Sequence, residues 1–328
     1  DEKPEDGDAQ VNLGDLLRDS GELDAAEEAY LQASMLESQP VLPTLKLALL
    51  AIRNGNEREA RDLIEQAEGF ASTPQDKAVV RGAVIFVEGR LGRLRTVAEQ
   101  IYAQEEFLQQ TMPPFQVALA IYAPLVRIYT ELGDTESARS ALEEALLIVQ
   151  PPLDQFLAFS EADILIEEGD LEGALAALEQ GMAIIEQFKL EELKFQADLY
   201  YGLIARKRGD YATAVTRLES GVDRIERSVL VGSDASLLVP PLRALLAWTQ
   251  IQDGDLDSAE RNLDKGFEQD PSDPTLWVSK ARLQMASGMP QLALASVNYA
   301  LAIWQNADPE YSEYIRANEL RAEIEATL

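Results

Sequence analysis

One short unit governs what this chain can fold into: a glycine, a few polar residues, and an alanine five positions after the glycine. It occurs as GELDAA at Gly21, GNEREA at Gly55, GDTESA at Gly133, GDLEGA at Gly169, GDYATA at Gly209, GDLDSA at Gly254 and GMPQLA at Gly288, with a weaker copy at Gly89. Successive glycines lie 34 to 45 residues apart, about 38 on average, a period that belongs to solenoids built from helix pairs. A length of 328 residues would ordinarily suggest two domains, but a repeat array grows in one dimension and needs no second core.

Each glycine separates two stretches of helical period. Before Gly21, Val11, Leu13, Leu16 and Leu17 recur at helical spacing, and after it Ala26, Ala29, Tyr30, Ala33 and Leu36 do the same. Two amphipathic helices joined by a tight turn explain the pattern. The glycine suits a left-handed residue that ends the first helix, and the Asp or Asn after it suits the cap of the second. The alanine is small because the paired helices approach most closely there. At the weak third copy Leu94 stands where alanine is expected, and a second helix beginning after Gly92 is the alternative register.

Composition removes several chemistries. The chain has no His and no Cys, and its 28 Lys and Arg face 58 Asp and Glu for a net charge of −30. Zinc fingers, haem ligation, a Cys nucleophile and a Ser-His-Asp triad are therefore excluded. Such a charge also disfavours nucleic acid and anionic lipid, which are held through Lys and Arg. No apolar run is long enough to span a membrane. The abundant carboxylates fall on polar helical faces and turns, where nothing desolvates one of a pair for acid–base work, so neither an enzyme nor a cofactor or metal is expected.

The repeats resemble those of the tetratricopeptide family, whose order is Leu, Gly or Ala and an aromatic in helix A, a Gly turn, then Ala, an aromatic or Leu, and Ala in helix B. Leu13, Gly14, Leu17, Gly21, Ala26, Tyr30, Ala33 and Pro40 carry the match in the first repeat. Tyr122, Leu125, Tyr129, Gly133, Ala138, Leu142, Ala145 and Pro151 carry it in the fourth, and Trp277, Ala281, Gly288, Ala293 and Ala300 in the eighth. The resemblance implies an all-α right-handed superhelix of about eight helix pairs, with repeats near 7–40, 41–74, 75–112, 115–151, 152–188, 190–228, 236–273 and 274–308. Residues 1–6 read as a disordered acidic leader, and 309–328 as a capping helix with Trp304 packed beneath it. The stretches EEFLQQTMPPFQ and SVLVGSDASLLVPP read as insertions.

Two tempting strings, RGD at Arg208–Asp210 and DGDLD at Asp253–Asp257, fall on repeat turns and read as turn and cap residues. Arg81, Arg90, Arg93 and Arg95 form the one basic cluster, a candidate patch for an anionic contact. The family's carboxylate clamp is not carried over, because its positions hold Val11, Asp15, Lys46, Asp76 and Val80. In the family the A helices line the inner groove. Their inward positions here include Phe156, Phe159, Gln196, Arg127, Arg206, Trp248 and Arg282, the candidate partner-binding residues, Arg and aromatics being common interface anchors.

The resemblance thus implies a non-enzymatic scaffold or adaptor that binds a protein or peptide segment in its concave groove during assembly of a larger complex. The alternative is the sensing domain of a larger bacterial regulator such as a transcription activator, kinase or cyclase. The polar last helix favours a monomer. A first residue that is not Met suggests processing, a tag remnant or an expression boundary, and of these a lost signal peptide would place the chain in the bacterial cell envelope or periplasm rather than the cytoplasm.

Overall fold

The computed structural model describes residues 6–38, 40–228 and 237–328. The leader residues 1–5 and the centre of the insertion that precedes the seventh repeat lie outside them. Among the described residues there are helices and no strands. The pairs are α1 (Gly7–Asp19) with α2 (Leu23–Leu36), α3 (Val41–Arg53) with α4 (Glu57–Phe70), and α5 (Pro74–Arg90) with α6 (Leu94–Tyr102). A short α7 (Glu105–Thr111) precedes α8 (Pro114–Val117), which runs through a wide π turn at Ala118–Tyr122 into α9 (Ala123–Glu131), the partner of α10 (Thr135–Ile148). Then come α11 (Ala158–Glu168) with α12 (Leu171–Phe188), α13 (Lys194–Lys207) with α14 (Tyr211–Ser228), α15 (Val239–Asp253) with α16 (Leu256–Gln269), and α17 (Pro274–Ala286) with α18 (Pro290–Ile303). A last helix, α19 (Ser312–Glu325), closes the array.

The turn glycines do what their spacing requires. Gly21, Gly55, Gly133, Gly169, Gly209, Gly254 and Gly288 all have positive φ, where a side chain would be strained. In the third repeat the left-handed residue is Gly92, while Gly89 lies inside α5, so the later of the two registers is correct. The residue after the glycine caps the second helix: Asn56, Asp134, Asp170, Asp210 and Asp255 each accept a hydrogen bond from the backbone N–H three residues on. The alanines Ala26, Ala60, Ala138, Ala174, Ala214, Ala259 and Ala293 are all 0% exposed. That uniform burial fits their place at the closest approach of each pair.

One local reading needs correction. On α1 the buried stripe is Val11, Gly14, Asp15 and Arg18, so Leu13 and Leu16, which share a helix face with Leu17 in the sequence pattern, are exposed. The insertion after the third repeat forms α7 and the start of α8, and Tyr122 donates a hydrogen bond back to Glu105. The wide turn in the fourth repeat has its cause in Pro124, which lacks the N–H that an α-helix would bond to Ala120; instead the Ala123 N–H reaches the Ala118 carbonyl.

The array meets itself. Arg90 forks onto Asp270, its two terminal nitrogens 2.6 Å from the two carboxylate oxygens, and also donates to Ser272 Oγ at 2.9 Å. Ser272 Oγ in turn donates to the Ile52 carbonyl. The Trp304 indole donates to the Arg90 carbonyl, and the Asp308 N–H to that of Gly92. Tyr311 lies where a Cβ on Gly92 would go, and the Glu268 carbonyl is 3.0 Å from that position on Gly21. The turns of the first three repeats thus abut the end of the seventh repeat, the eighth repeat and the start of α19, and the solenoid closes into a ring. Trp304 is fully buried and packs edge-on against Tyr311 at 5.5 Å.

Candidate functional site

Ring closure gives the A helices a common lumen. Arg206 on α13 is close enough to Arg316 and Glu313 on α19 to feel both charges, although five helices separate α13 from α19 in sequence. Tyr311 likewise feels Glu131 on α9.

The most organised feature of the lumen spans three consecutive repeats. Trp248 on α15 has the Arg206 guanidinium 3.5 Å and the Arg282 guanidinium 3.6 Å from its ring centroid. Two guanidinium groups cannot share one face at that distance, so the indole is sandwiched between them. Stacking occupies the faces of the planar cations and leaves their in-plane N–H donors at the edges. Arg206 uses one of these, its Nε, on Gln252 Oε1 at 2.8 Å. Among the described residues Arg282 has no acceptor. Burial pulls the Arg206 guanidinium down to about 10, with repulsion from Arg316 adding to it. Burial also brings Arg282 to about 10, the attraction of Glu313 being opposed by Arg206 and Arg316. Both remain cationic at neutral pH. Glu313 is itself bonded to Arg316 at 2.9 Å.

Further round the wall lies a second group. Tyr200 on α13 donates to Asp163 Oδ2 on α11 at 2.7 Å. The Asp163 carboxyl is lifted to about 6, because desolvation outweighs the stabilising Arg127 charge and the Tyr200 hydrogen bond, with Glu131 adding repulsion. Arg127 is open to water yet walled by protein, and it bonds Glu131 at 3.1 Å; the Glu131 charge holds it above the ordinary arginine range.

The other candidates are placed differently. Phe159 is 8% exposed and fills the gap over Gly181, against Tyr200 at 5.6 Å, so it is part of the packing and offers no face to the lumen. Phe156 stacks between Phe115 and Phe188 at 5.3 and 6.4 Å, half-buried. Gln196 is half-buried on α13 without a hydrogen bond to the described residues. The basic cluster is spent on structure: Arg90 on Asp270, Arg93 on Glu57 and Glu88, Arg95 on Glu310, and Arg81 on the Ala103 carbonyl. At the clamp positions, Lys46 is buried and paired with Asp15 at 3.2 Å, which cancels its charge.

Asp163, Tyr200, Glu131, Glu313 and Arg316 were not among the sequence candidates. Asp163 had a signal: it stands six residues before its turn glycine, as do Arg127, Trp248 and Arg282 before theirs.

The Tetratricopeptide repeat family model matches residues 1–40, 124–186 and 245–308, together just over half of the chain. The chain belongs to the tetratricopeptide repeat family. Among solved structures, the Rap protein complexed with competence and sporulation factor is 13% identical, with a TM-score of 0.52 over 97% of this chain and 99% of that one. A tetratricopeptide repeat protein from Parabacteroides merdae is 16% identical, TM-score 0.46, covering 97% and 98%. The tetratricopeptide sensor protein PH0952 from Pyrococcus horikoshii, a signal transduction ATPase with numerous domains, is 16% identical, TM-score 0.46, covering 92% of this chain and 53% of that one. No curated protein matches the sequence. Among the described residues no helix of this tetratricopeptide array is long and apolar enough to cross a membrane, and no group of three or more acidic side chains is placed to hold a metal ion.

Proposed function

We propose that this chain is a non-catalytic scaffold that binds a segment of a partner protein in the lumen formed by its A helices. The observation that carries the reading is the Arg206–Trp248–Arg282 stack, a preorganised array of edge donors of which Arg282 supplies a full, unmatched set. Rigid groups held in place before binding lose little conformational entropy on contact, which is how a stacked repeat array converts modest contacts into affinity. Arg127, open to water across the same lumen, extends the contact surface towards the fourth repeat.

Affinity capture with the purified chain, run beside the variant carrying Arg127→Glu, Arg206→Glu and Arg282→Glu, tests the reading. A protein retained in stoichiometric amount by the native chain and lost from the variant, with melting temperature nearly unchanged, is the expected result. Equal retention by both chains would place the contact elsewhere, and an unfolded variant would show that the three arginines serve the fold.

A further inference from the structure

The geometry points to an extended acidic segment as the occupant of the lumen, one whose carboxylates stand at alternate positions, each received by one of the two guanidinium edges that flank Trp248. This inference rests on the lumen-binding reading and names the chemistry of its partner.

Three observations converge on it. First, the charge: in a chain of net charge −30, Arg206, Arg282 and Arg316 are brought close enough to repel one another, and only Glu313 is bonded within the group, to Arg316. Glu313 and Glu323 offset part of that repulsion, and an arriving anion would offset more of it. Second, the donors: a guanidinium stacked on an indole has its face satisfied and its fork exposed, and a fork is the geometry that matches a carboxylate with two parallel hydrogen bonds. Arg282 has all of its donors unmatched among the described residues, and Arg206 has all but its Nε.

Third, the spacing: with the indole between them the two guanidinium carbons lie roughly 7 Å apart. Side chains of residues i and i+2 in an extended chain leave the same face about 6.4–6.8 Å apart, twice the rise per residue. Adjacent residues point to opposite faces and cannot reach both forks. The overall negative field of the protein opposes any acidic ligand at long range, so a lone carboxylate gains little. Two in register make two charge-assisted forks at once, and the site therefore selects spacing as well as charge.

The test is selection from a displayed library of random dodecapeptides on the full chain, followed by calorimetry on the enriched peptide. The expected consensus carries Asp or Glu at i and i+2. Moving one acid to the adjacent position, or introducing Arg282→Gln or Arg206→Gln, is expected to weaken binding at least tenfold. Arg282→Lys, which keeps the charge and removes the fork, should recover only part of the loss while circular dichroism stays native. Enriched peptides without paired acids, or binding indifferent to Arg282→Gln, would overturn the inference. If such peptides are still lost with Arg127→Glu, the lumen reading stands and only the acidic partner falls; if no lumen substitution affects any enriched peptide, or none is enriched, both fall.

Discussion

Asp163 shows how a single side chain couples the lumen to pH. Its carboxyl is raised to about 6 in the folded chain, against about 3.9 when unfolded. Between these values the folded state binds the proton more readily, so its share of stability grows as pH falls from neutral and is lost as pH rises through about 6. Asp163→Asn removes that share. The difference in melting temperature, variant minus native chain, should therefore be more positive at about pH 7.5 than at about pH 5, as scanning fluorimetry at both pH values would show. At this scale the sequence was informative about residue type: it named Arg206, Trp248 and Arg282 as candidates, and the structure brings the three into one stack. Their stacking was not legible, because it depends on the rotation between successive repeats. Phe159 misled for a physical reason, the hole over Gly181 drawing an inward-phased ring into the packing.

Within a helix pair, most of the architecture could be read directly. The turn glycine, its capping Asp or Asn and the buried alanine form a local code, and only the third repeat left two registers open. Helix A adds a glycine of its own: at Gly14 a Cβ would lie 2.4 Å from the Tyr30 ring, which is 0% exposed and donates a hydrogen bond to Asp15 at 2.7 Å. The ring has nowhere to go. Gly14→Ala would gain up to about 1 kcal/mol of helix propensity, but overpacking of a filled site costs about 1–3 kcal/mol. A net loss of stability of up to about 2 kcal/mol is expected, against the usual benefit of alanine in a helix, and denaturant unfolding would measure it. What the local code missed was irregular: the wide turn before Pro124, although the proline itself was the signal, and the exposure of Leu13 and Leu16.

Closure of the whole molecule was not legible at all. Arg90 and Asp270 are 180 residues apart, outside any period; in the sequence Arg90 reads as part of a basic patch and Asp270 as an ordinary charge. In the structure Asp270 is 2% exposed and receives the Arg90 fork, with Arg53 Nε 3.8 Å away. Asp270→Ala would take the carboxylate from the buried Arg53 guanidinium and leave Arg90 with the Asp273 carboxylate alone, 3.5 Å away; breaking a buried pair on one side costs about 3–5 kcal/mol. Small-angle scattering should show a larger radius of gyration with helical content retained, because each repeat still has its neighbours. An unchanged radius would mean that Trp304, Asp308 and Tyr311 hold the ring without it. Closure also orders events during synthesis. A helical array can fold repeat by repeat as it leaves the ribosome, yet the turn faces at Gly21, Gly55 and Gly92 stay uncovered until residues 268–311 have been made. For most of translation the nascent chain is an open arc, and the lumen comes into being only with its final fifth.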